Sequence, residues 1–222
     1  MNYLVAIVGF LVGAAASAQT PDFQRVNGSI AIEAHHQAGS LSTVNGSVRV
    51  GEQASATSIS TVNGRITLEA GARATNLNTV NGGFELAAGA HVAGDATSVN
   101  GSITLERNAE ITGRLTNVNG AIDLRAAHVG GGIETVSGPI TIGTDSRVEG
   151  GLLVRNACTK GWLSWFGGSH CDAQRIVIAP GANVKGTLRF EHEVKLYVSD
   201  RATVGVIVGA KAVTYSGNNP LG

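Results

Sequence analysis

Four ionisable side chains recur at comparable places in successive segments of this 222-residue chain. They are Arg73, His91, Glu110 and His128, and the last three each precede an apolar residue. Imidazole and carboxylate groups bind zinc and act as general acids and bases. If the segments stack as parallel strands, however, the two histidines lie about 10 Å apart with only Glu110 between them. We therefore expect a solvated polar column here, and no metal site.

The remaining acids and histidines do not form a recognisable catalytic group. Glu85 and Asp123 fall in one column, but Thr104 separates them, whereas glycoside hydrolases need paired carboxylates. The sequence has no nucleophile elbow, phosphate loop or dinucleotide fingerprint. We expect no enzymatic activity, no cofactor and no metal. Other residues considered and set aside are Glu33, Glu69, Glu106, His35, His36, His170 and His192.

The elements that position these residues come from an internal repeat with a period of 18 or 19 residues. A Val-Asn-Gly unit recurs six times, and a Val-Ser-Gly unit at Ser137 takes the seventh place. A fixed period of this kind is typical of stacked repeat architectures. The repeated asparagines are Asn27, Asn45, Asn63, Asn81, Asn100 and Asn119.

Each unit precedes a short segment in which apolar and variable residues alternate. In the third repeat the apolar residues are Ile66 and Leu68, and the variable residue between them is Thr67. Alternation with a period of two indicates a strand with one face in the core. Repeated Asn-Gly pairs argue against a helix, and a hairpin sheet would not keep one period through seven units. We predict an all-β, single-stranded parallel β-solenoid with about 18 residues in each three-faced coil.

The Val-Asn-Gly unit is interpreted as a structural corner between two faces. We expect the valine to point into the core, the asparagine to turn the chain and stack its amide on the next, and the glycine to supply a positive φ. The residue before each valine is mostly threonine. Ice-binding solenoids order water with two neighbouring columns of threonine, but here the positions that would hold the second column are Asn and Gly. The expected inward anchors, one every six residues, are Val44, Val50, Ala56, Val62, Leu68, Ala74, Val80, Leu86 and Val92.

Composition and the first residues suggest an exported protein. The chain has 31 glycines and a net charge of zero, so a basic surface for nucleic acid is not indicated. Residues 1–18 have an apolar run and end in Ala-Ser-Ala, a site that a signal peptidase could cut. We expect residues 19–222 to form a single periplasmic or secreted domain, with no stable transmembrane span after cleavage. An uncleaved membrane anchor is the alternative.

The repeat loses register over about residues 155–175, and we expect a loop excursion there before coils resume, about nine in all. The excursion contains Cys158 and Cys171, and two cysteines in an exported chain favour a disulfide. The closed loop holds Trp162, Trp165 and Phe166. These rings either contact a partner or a glycan, or fold back onto the flank of the rod.

Two resemblances rest on these motifs. The VNGSI, VNGSV and VNGRI units resemble the repeats of bacterial adhesin-like β-solenoid proteins over about Arg25 to Leu153. The later stretch IVIAPGANVKGTLRFEHEVKLYV resembles bactofilins, which are polymer-forming three-faced β-helix proteins. Both resemblances imply a non-catalytic β-solenoid, and the second implies end-to-end stacking into a homo-oligomer.

We therefore expect a non-catalytic, exported structural or adhesin-like module of the cell envelope. Its expected partners are envelope glycans or proteins, and nucleic acid is not expected. Two alternatives stay open. One is a carbohydrate-binding or carbohydrate-active β-helix, and the other is a bactofilin-like scaffold that polymerises with itself.

Overall fold

The computed structural model describes residues 20–156, 173–218 and 220, and this part of the chain is all-β. Its 27 strands follow one another in turns of three, and each turn lays one strand on each of three faces. This arrangement confirms the predicted β-solenoid. Among these residues, no helix has the length and apolar character needed to span a bilayer.

The faces are numbered in chain order. The first face consists of β1 (Phe23–Asn27), β4 (Leu41–Asn45), the second halves of β6 (Ser55–Asn63) and β8 (Arg73–Asn81), β11 (Ala96–Asn100), β14 (Leu115–Asn119), β17 (Ile133–Ser137), β20 (Leu152–Val154), β23 (Leu188–Phe190) and β26 (Ile207–Val208). The second face consists of β2 (Ile30–Ile32), β5 (Val48–Val50), β7 (Ile66–Leu68), β9 (Phe84–Leu86), β12 (Ile103–Leu105), β15 (Ile122–Leu124), β18 (Ile140–Ile142), β21 (Gln174–Ile178), β24 (Val194–Ser199) and β27 (Ala212–Tyr215). The third face consists of β3 (Gln37–Ala38), the first halves of β6 and β8, β10 (His91–Val92), β13 (Glu110–Ile111), β16 (His128–Val129), β19 (Arg147–Val148), β22 (Asn183–Val184) and β25 (Thr203–Val204).

Every strand pairs in parallel with the equivalent strand one turn away. On the second face, for example, Ile66 pairs with Val48 on one side and with Phe84 on the other. The second face is a separate ten-stranded sheet, whereas the first and third faces share one 17-stranded sheet because β6 and β8 run through both. The ten strands show ten turns, where the sequence suggested about nine, and the ladder spacing makes the rod about 43 Å long.

The core is a continuous apolar column inside the rod, filled from all three faces. Leu68 from the second face, Ala74 from the third and Leu77 from the first are all buried. The alternation predicted for the second face is therefore confirmed, because its flanking residues are buried while Thr67 between them is not. Stacking buries each turn against the next, so single turns have no core of their own.

The valine of each Val-Asn-Gly unit points outward, so its assignment as an inward anchor was wrong. Val62 is 39% exposed, whereas Thr61 before it is 3% exposed. The strand alternates from Ile59, which is buried, and this places Ser60 and Val62 outside. The Asn-Gly corner interrupts the two-residue alternation, so counting six residues back from Leu68 gave the wrong side. The same correction applies to Val26, Val44, Val80, Val99, Val118 and Val136.

The threonine column lies inside the rod and cannot be a water-ordering surface. Thr61 Oγ1 donates a hydrogen bond of 2.9 Å to the carbonyl oxygen of Gly46, in the preceding turn. Thr43 makes the same bond to Gly28 at 3.0 Å. A buried hydroxyl group is costly unless it is bonded, and these bonds also hold successive corners together.

The asparagines form the predicted corner ladder. Asn63 Nδ2 donates to Asn45 Oδ1 at 2.8 Å, and Asn81 Nδ2 donates to Asn63 Oδ1 at 2.9 Å. The glycine of each Val-Asn-Gly corner is required for a reason that was not predicted from the sequence. A Cβ at Gly64 would lie under 3.0 Å from the carbonyl oxygen of Gly46. Positive φ is found at some of these glycines, such as Gly82 with φ 155°, but close stacking on the preceding glycine is the constraint shared by the corner glycines after the first, Gly28.

A second corner, between the second and third faces, needs one left-handed residue in each of eight turns. These residues have φ between 50° and 74°, a region that favours glycine and costs other L-residues about 1–2 kcal/mol. Among the five of these residues that are not glycine, only Ala126 lacks a polar side chain that could bond locally. The residues are His35, Gln53, Gly71, Gly89, Asn108, Ala126, Asp145 and Gly181.

Aspartate substitutions test which side chains face the core. Leu68→Asp should lower the free energy of unfolding by several kcal/mol, because it buries an unpaired carboxylate. Val62→Asp and Thr67→Asp should each cost no more than about 1 kcal/mol, since both positions face outward. Urea denaturation followed by circular dichroism measures the three values. Equal losses for Leu68→Asp and Val62→Asp would refute the inward and outward assignment.

Glycine exchange tests the left-handed corner. Ala126→Gly should raise the free energy of unfolding by about 0.5–1 kcal/mol, because glycine adopts positive φ without a Cβ clash. Gly89→Ala is the matched control, since a Cβ there meets nothing within 4 Å and only the backbone preference changes. It should destabilise by about 1 kcal/mol. The same sign of change in both variants would contradict the corner assignment.

Candidate functional site

The polar column predicted from the sequence is present on the third face. Arg73, His91, Glu110, His128 and Arg147 pair in register on successive strands. Glu110 lies between the two histidines, with its Oε2 3.4 Å from His91 Nδ1 and its Oε1 3.2 Å from His128 Nδ1. One carboxylate therefore serves two imidazoles, which are spread along the rod and do not converge on a point.

Two further side chains, Glu149 and Lys185, lie beside this column. His128 Nε2 lies 3.8 Å from Glu149 Oε1, and Lys185 Nζ lies 2.8 Å from Glu149 Oε2. The Lys185 ammonium group lowers the pKa of the Glu149 carboxyl. The side chains of His91, Glu110 and His128 are 35–39% exposed, and polar contacts between such solvated side chains contribute little stability. Within the described ranges no three ligand side chains are placed to hold a metal ion.

Four carboxylates on or beside the second face, Glu69, Glu85, Glu106 and Asp123, are paired with arginine. Glu85 Oε2 lies 3.4 Å from Arg65 Nη1. Asp123 and Glu106 both contact Arg125, at 2.8 Å each, and they raise the pKa of its guanidinium group, with Asp123 as the larger cause. Glu85 and Asp123 do share a column with Thr104 between them, as predicted. Each of these carboxylates is directed at a neighbouring arginine, and the two that come together, Glu106 and Asp123, have the Arg125 guanidinium between them.

A recess lies beside the polar column where one corner is short. Three residues connect β15 to β16, whereas four connect β12 to β13 and β18 to β19. A half-open recess of about 540 Å³ lies at this place, with Ala126 and His128 at the short corner and Arg107 and Arg147 on its two sides. This recess was not predicted from the sequence, although the shorter spacing between Leu124 and His128 could have indicated it.

An exposed row of valines runs along the first face, and the sequence analysis missed it too. This valine stripe consists of Val26, Val44, Val62, Val80, Val99, Val118 and Val136. Val26, in the first turn, is 66% exposed, and the interior members Val44, Val62, Val80 and Val118 are 39–41% exposed. The interior values are lower because each valine is partly covered by its neighbours in the ladder. An outward position that is always valine was the available signal.

Small uncharged side chains form the outward column next to the stripe. The column consists of Ser42, Ser60, Asn78, Thr97 and Thr116. It ends at Glu134, which is paired with Arg114 at 3.3 Å and with Arg155. Five successive turns of the first face therefore present methyl, hydroxyl and amide groups but no charge, which neither of the other two faces does.

The other predicted site residues lie apart from these surfaces. Cys158, Cys171, Trp162, Trp165, Phe166 and His170, like the signal segment 1–18, lie outside the described residues. His35 occupies a left-handed corner, and His36 Nδ1 lies 2.9 Å from the carbonyl oxygen of Ala34. His192 Nδ1 lies 3.1 Å from the carbonyl oxygen of Arg155. The structure does not bring these histidines together.

Comparison with known proteins gives no relative. No family model, no curated protein and no solved structure matches this chain.

Charge removal tests the interpretation of the polar column. Glu110→Gln should change the free energy of unfolding by less than about 1 kcal/mol, because the pairs it removes are solvated. Ile111→Leu, at the buried neighbour, controls for the sensitivity of the assay. It should lower the free energy of unfolding by about 1 kcal/mol through altered packing. A loss above about 2 kcal/mol for Glu110→Gln would show that the column is a structural centre.

Proposed function

We propose that this chain is an exported, non-catalytic module of the cell envelope that acts as a structural or adhesin-like rod. The observation that carries the proposal is the distribution of side chains on the rod. Charged groups on the second and third faces pair with one another along the columns, while the first face offers an extended uncharged surface. Such a molecule is suited to contact over a long surface, which is what a structural or adhesive rod requires.

Export is part of the same proposal. Residues 1–18 read as a signal peptide, and an oxidising compartment suits a bond between Cys158 and Cys171. We propose that this bond closes a contact loop carrying Trp162, Trp165 and Phe166. The loop begins beyond Asn156, directly after the turn in which Arg155 ends the valine stripe. Aromatic rings at this place would extend the contact surface of the first face.

One observation favours a second candidate, a bactofilin-like polymer formed end to end. The last turns of the rod expose Val206, Val208 and Val213, at 68%, 46% and 55%. The edge of β27 has no strand beyond it among the described residues. An open parallel edge with apolar side chains can pair with another copy. Electron microscopy of the mature protein tests this candidate, which predicts filaments one rod wide.

A glycan array combined with a reducing-sugar release assay separates the proposed function from a carbohydrate-active enzyme. We expect binding without turnover, or no binding, because the carboxylates that share a column on the second face, Glu85 and Asp123, are each paired with an arginine. Turnover of any polysaccharide would overturn the non-catalytic assignment. Recovery of a processed protein beginning at Gln19 from the periplasm or the medium tests export, and a chain retained uncleaved in the cytoplasm would contradict it.

Mass spectrometry of non-reduced peptides tests the loop. We expect a Cys158–Cys171 linkage, whose closure the chain-entropy relation values at about 3 kcal/mol. A Trp162→Ala, Trp165→Ala, Phe166→Ala variant should keep its β circular-dichroism signal and lose envelope association. The matched control is Tyr197→Ala. The Tyr197 ring lies on the second face, with the Arg175 guanidinium group over it, so its loss should leave association unchanged. Free thiols at both cysteines, or full association of the triple variant, would contradict the loop proposal.

A further inference from the structure

The valine stripe exposes more apolar surface than the fold itself requires. The equivalent outward column on the second face varies freely in type, with Ala31, Arg49, Thr67 and Glu85 in successive turns. A parallel ladder therefore tolerates charge and any side-chain size at outward positions. The stripe keeps one small apolar residue through seven turns, and contiguous exposed apolar surface is the usual mark of an interaction site.

We propose that the valine stripe is the contact surface for a second copy of this chain, packed face to face with its axis antiparallel. The spacing of the stripe identifies this occupant. Its valines repeat at the ladder spacing of about 4.8 Å, and a second rod has the same spacing along its whole length. The valines of one copy can then fit between those of the other in every turn, as in the dry interface between two paired sheets.

The charge distribution fixes the orientation. The uncharged turns carry no group that a second copy would repel, and the charged cluster of Arg114, Glu134 and Arg155 lies at one end of the stripe. An antiparallel pair places the two clusters at opposite ends, whereas a parallel pair would set like charges against each other. A two-fold axis near Val80, the central member, makes the contact closed and limits the assembly to a dimer.

The size of the surface sets the strength of the contact. Seven turns of five-residue strands measure roughly 34 Å by 16 Å, so two copies would cover roughly 1,100 Å². This area is at the low end for specific interfaces and is typical of reversible association. The dimer should therefore form at micromolar to near-millimolar concentration. The inference does not rest on the envelope role, and it differs from end-to-end polymerisation in the surface used.

Sedimentation velocity of the mature chain over that concentration range tests the proposal. The wild-type protein should pass reversibly from monomer to dimer, and Val62→Lys with Val80→Lys should raise the dissociation constant more than about tenfold, since each substitution counts twice in a two-fold interface. Thr67→Lys with Thr104→Lys is the matched control, because both residues face outward on the second face. It should dimerise like the wild type.

Further variants keep the test decisive. Val62→Thr with Val80→Thr retains the shape and strand preference of valine, so a weaker dimer from this pair supports the stripe even if the lysine variant folds poorly. Val208→Lys with Val213→Lys should leave dimerisation unchanged. A wild-type protein that stays monomeric, or a dimer lost through Val208→Lys and Val213→Lys but kept in both stripe variants, would overturn the proposal. A dimer gained only when Trp162, Trp165 and Phe166 are replaced by alanine would also overturn it, since the loop would then cover the stripe.

Discussion

The fold depends on one constraint, which is that every turn must hydrogen-bond in parallel register with copies of itself above and below. The spacing of about 4.8 Å leaves little room between successive backbones, so each position must suit its own repetition. Gly64 illustrates the limit, because a Cβ there would meet the carbonyl oxygen of Gly46. Asn63 illustrates the benefit, because its amide bonds to the equivalent amides on both sides. The repeat in the sequence is a direct consequence of this stacking.

The same constraint determines where polar groups can be placed. Inside the rod, Thr43, Thr61 and Thr79 are tolerated because each hydroxyl donates to a glycine carbonyl in the corner of the previous turn. Asn117 fills this role where threonine is replaced, donating to the carbonyl oxygens of Gly101 and Gly120 at 3.3 and 3.0 Å. Outside, charged residues can differ from turn to turn and pair along the rod. Stacking favours long surfaces of repeated groups over enclosed sites. The valine stripe and the uncharged column beside it, both on the first face, are surfaces of this kind.

Much of the architecture could be predicted from the sequence, because alternation after each corner is local. Ile66 and Leu68 follow the corner directly, and their burial and the intervening Thr67 were read correctly. The side of Val62 could not be read by counting across the corner, since irregular residues break the alternation. The turn count was low by one because the repeats after residue 173 no longer contain Asn-Gly. The recess at Ala126 coincides with a corner that is one residue shorter than its neighbours, and this difference becomes visible only when neighbouring turns are aligned in space.

The central claim is that the turns stack in parallel register with threonine inside and valine outside. Nuclear Overhauser contacts from the Val62 methyl groups test it most directly, since Thr61 and Asn63 pair with their equivalents in both adjacent turns. The account predicts contacts to the methyl groups of Val44 and Val80 and none to the core residues Ile66 and Leu68. Contacts from Val62 to those core methyl groups, without contacts to Val44 or Val80, would contradict it.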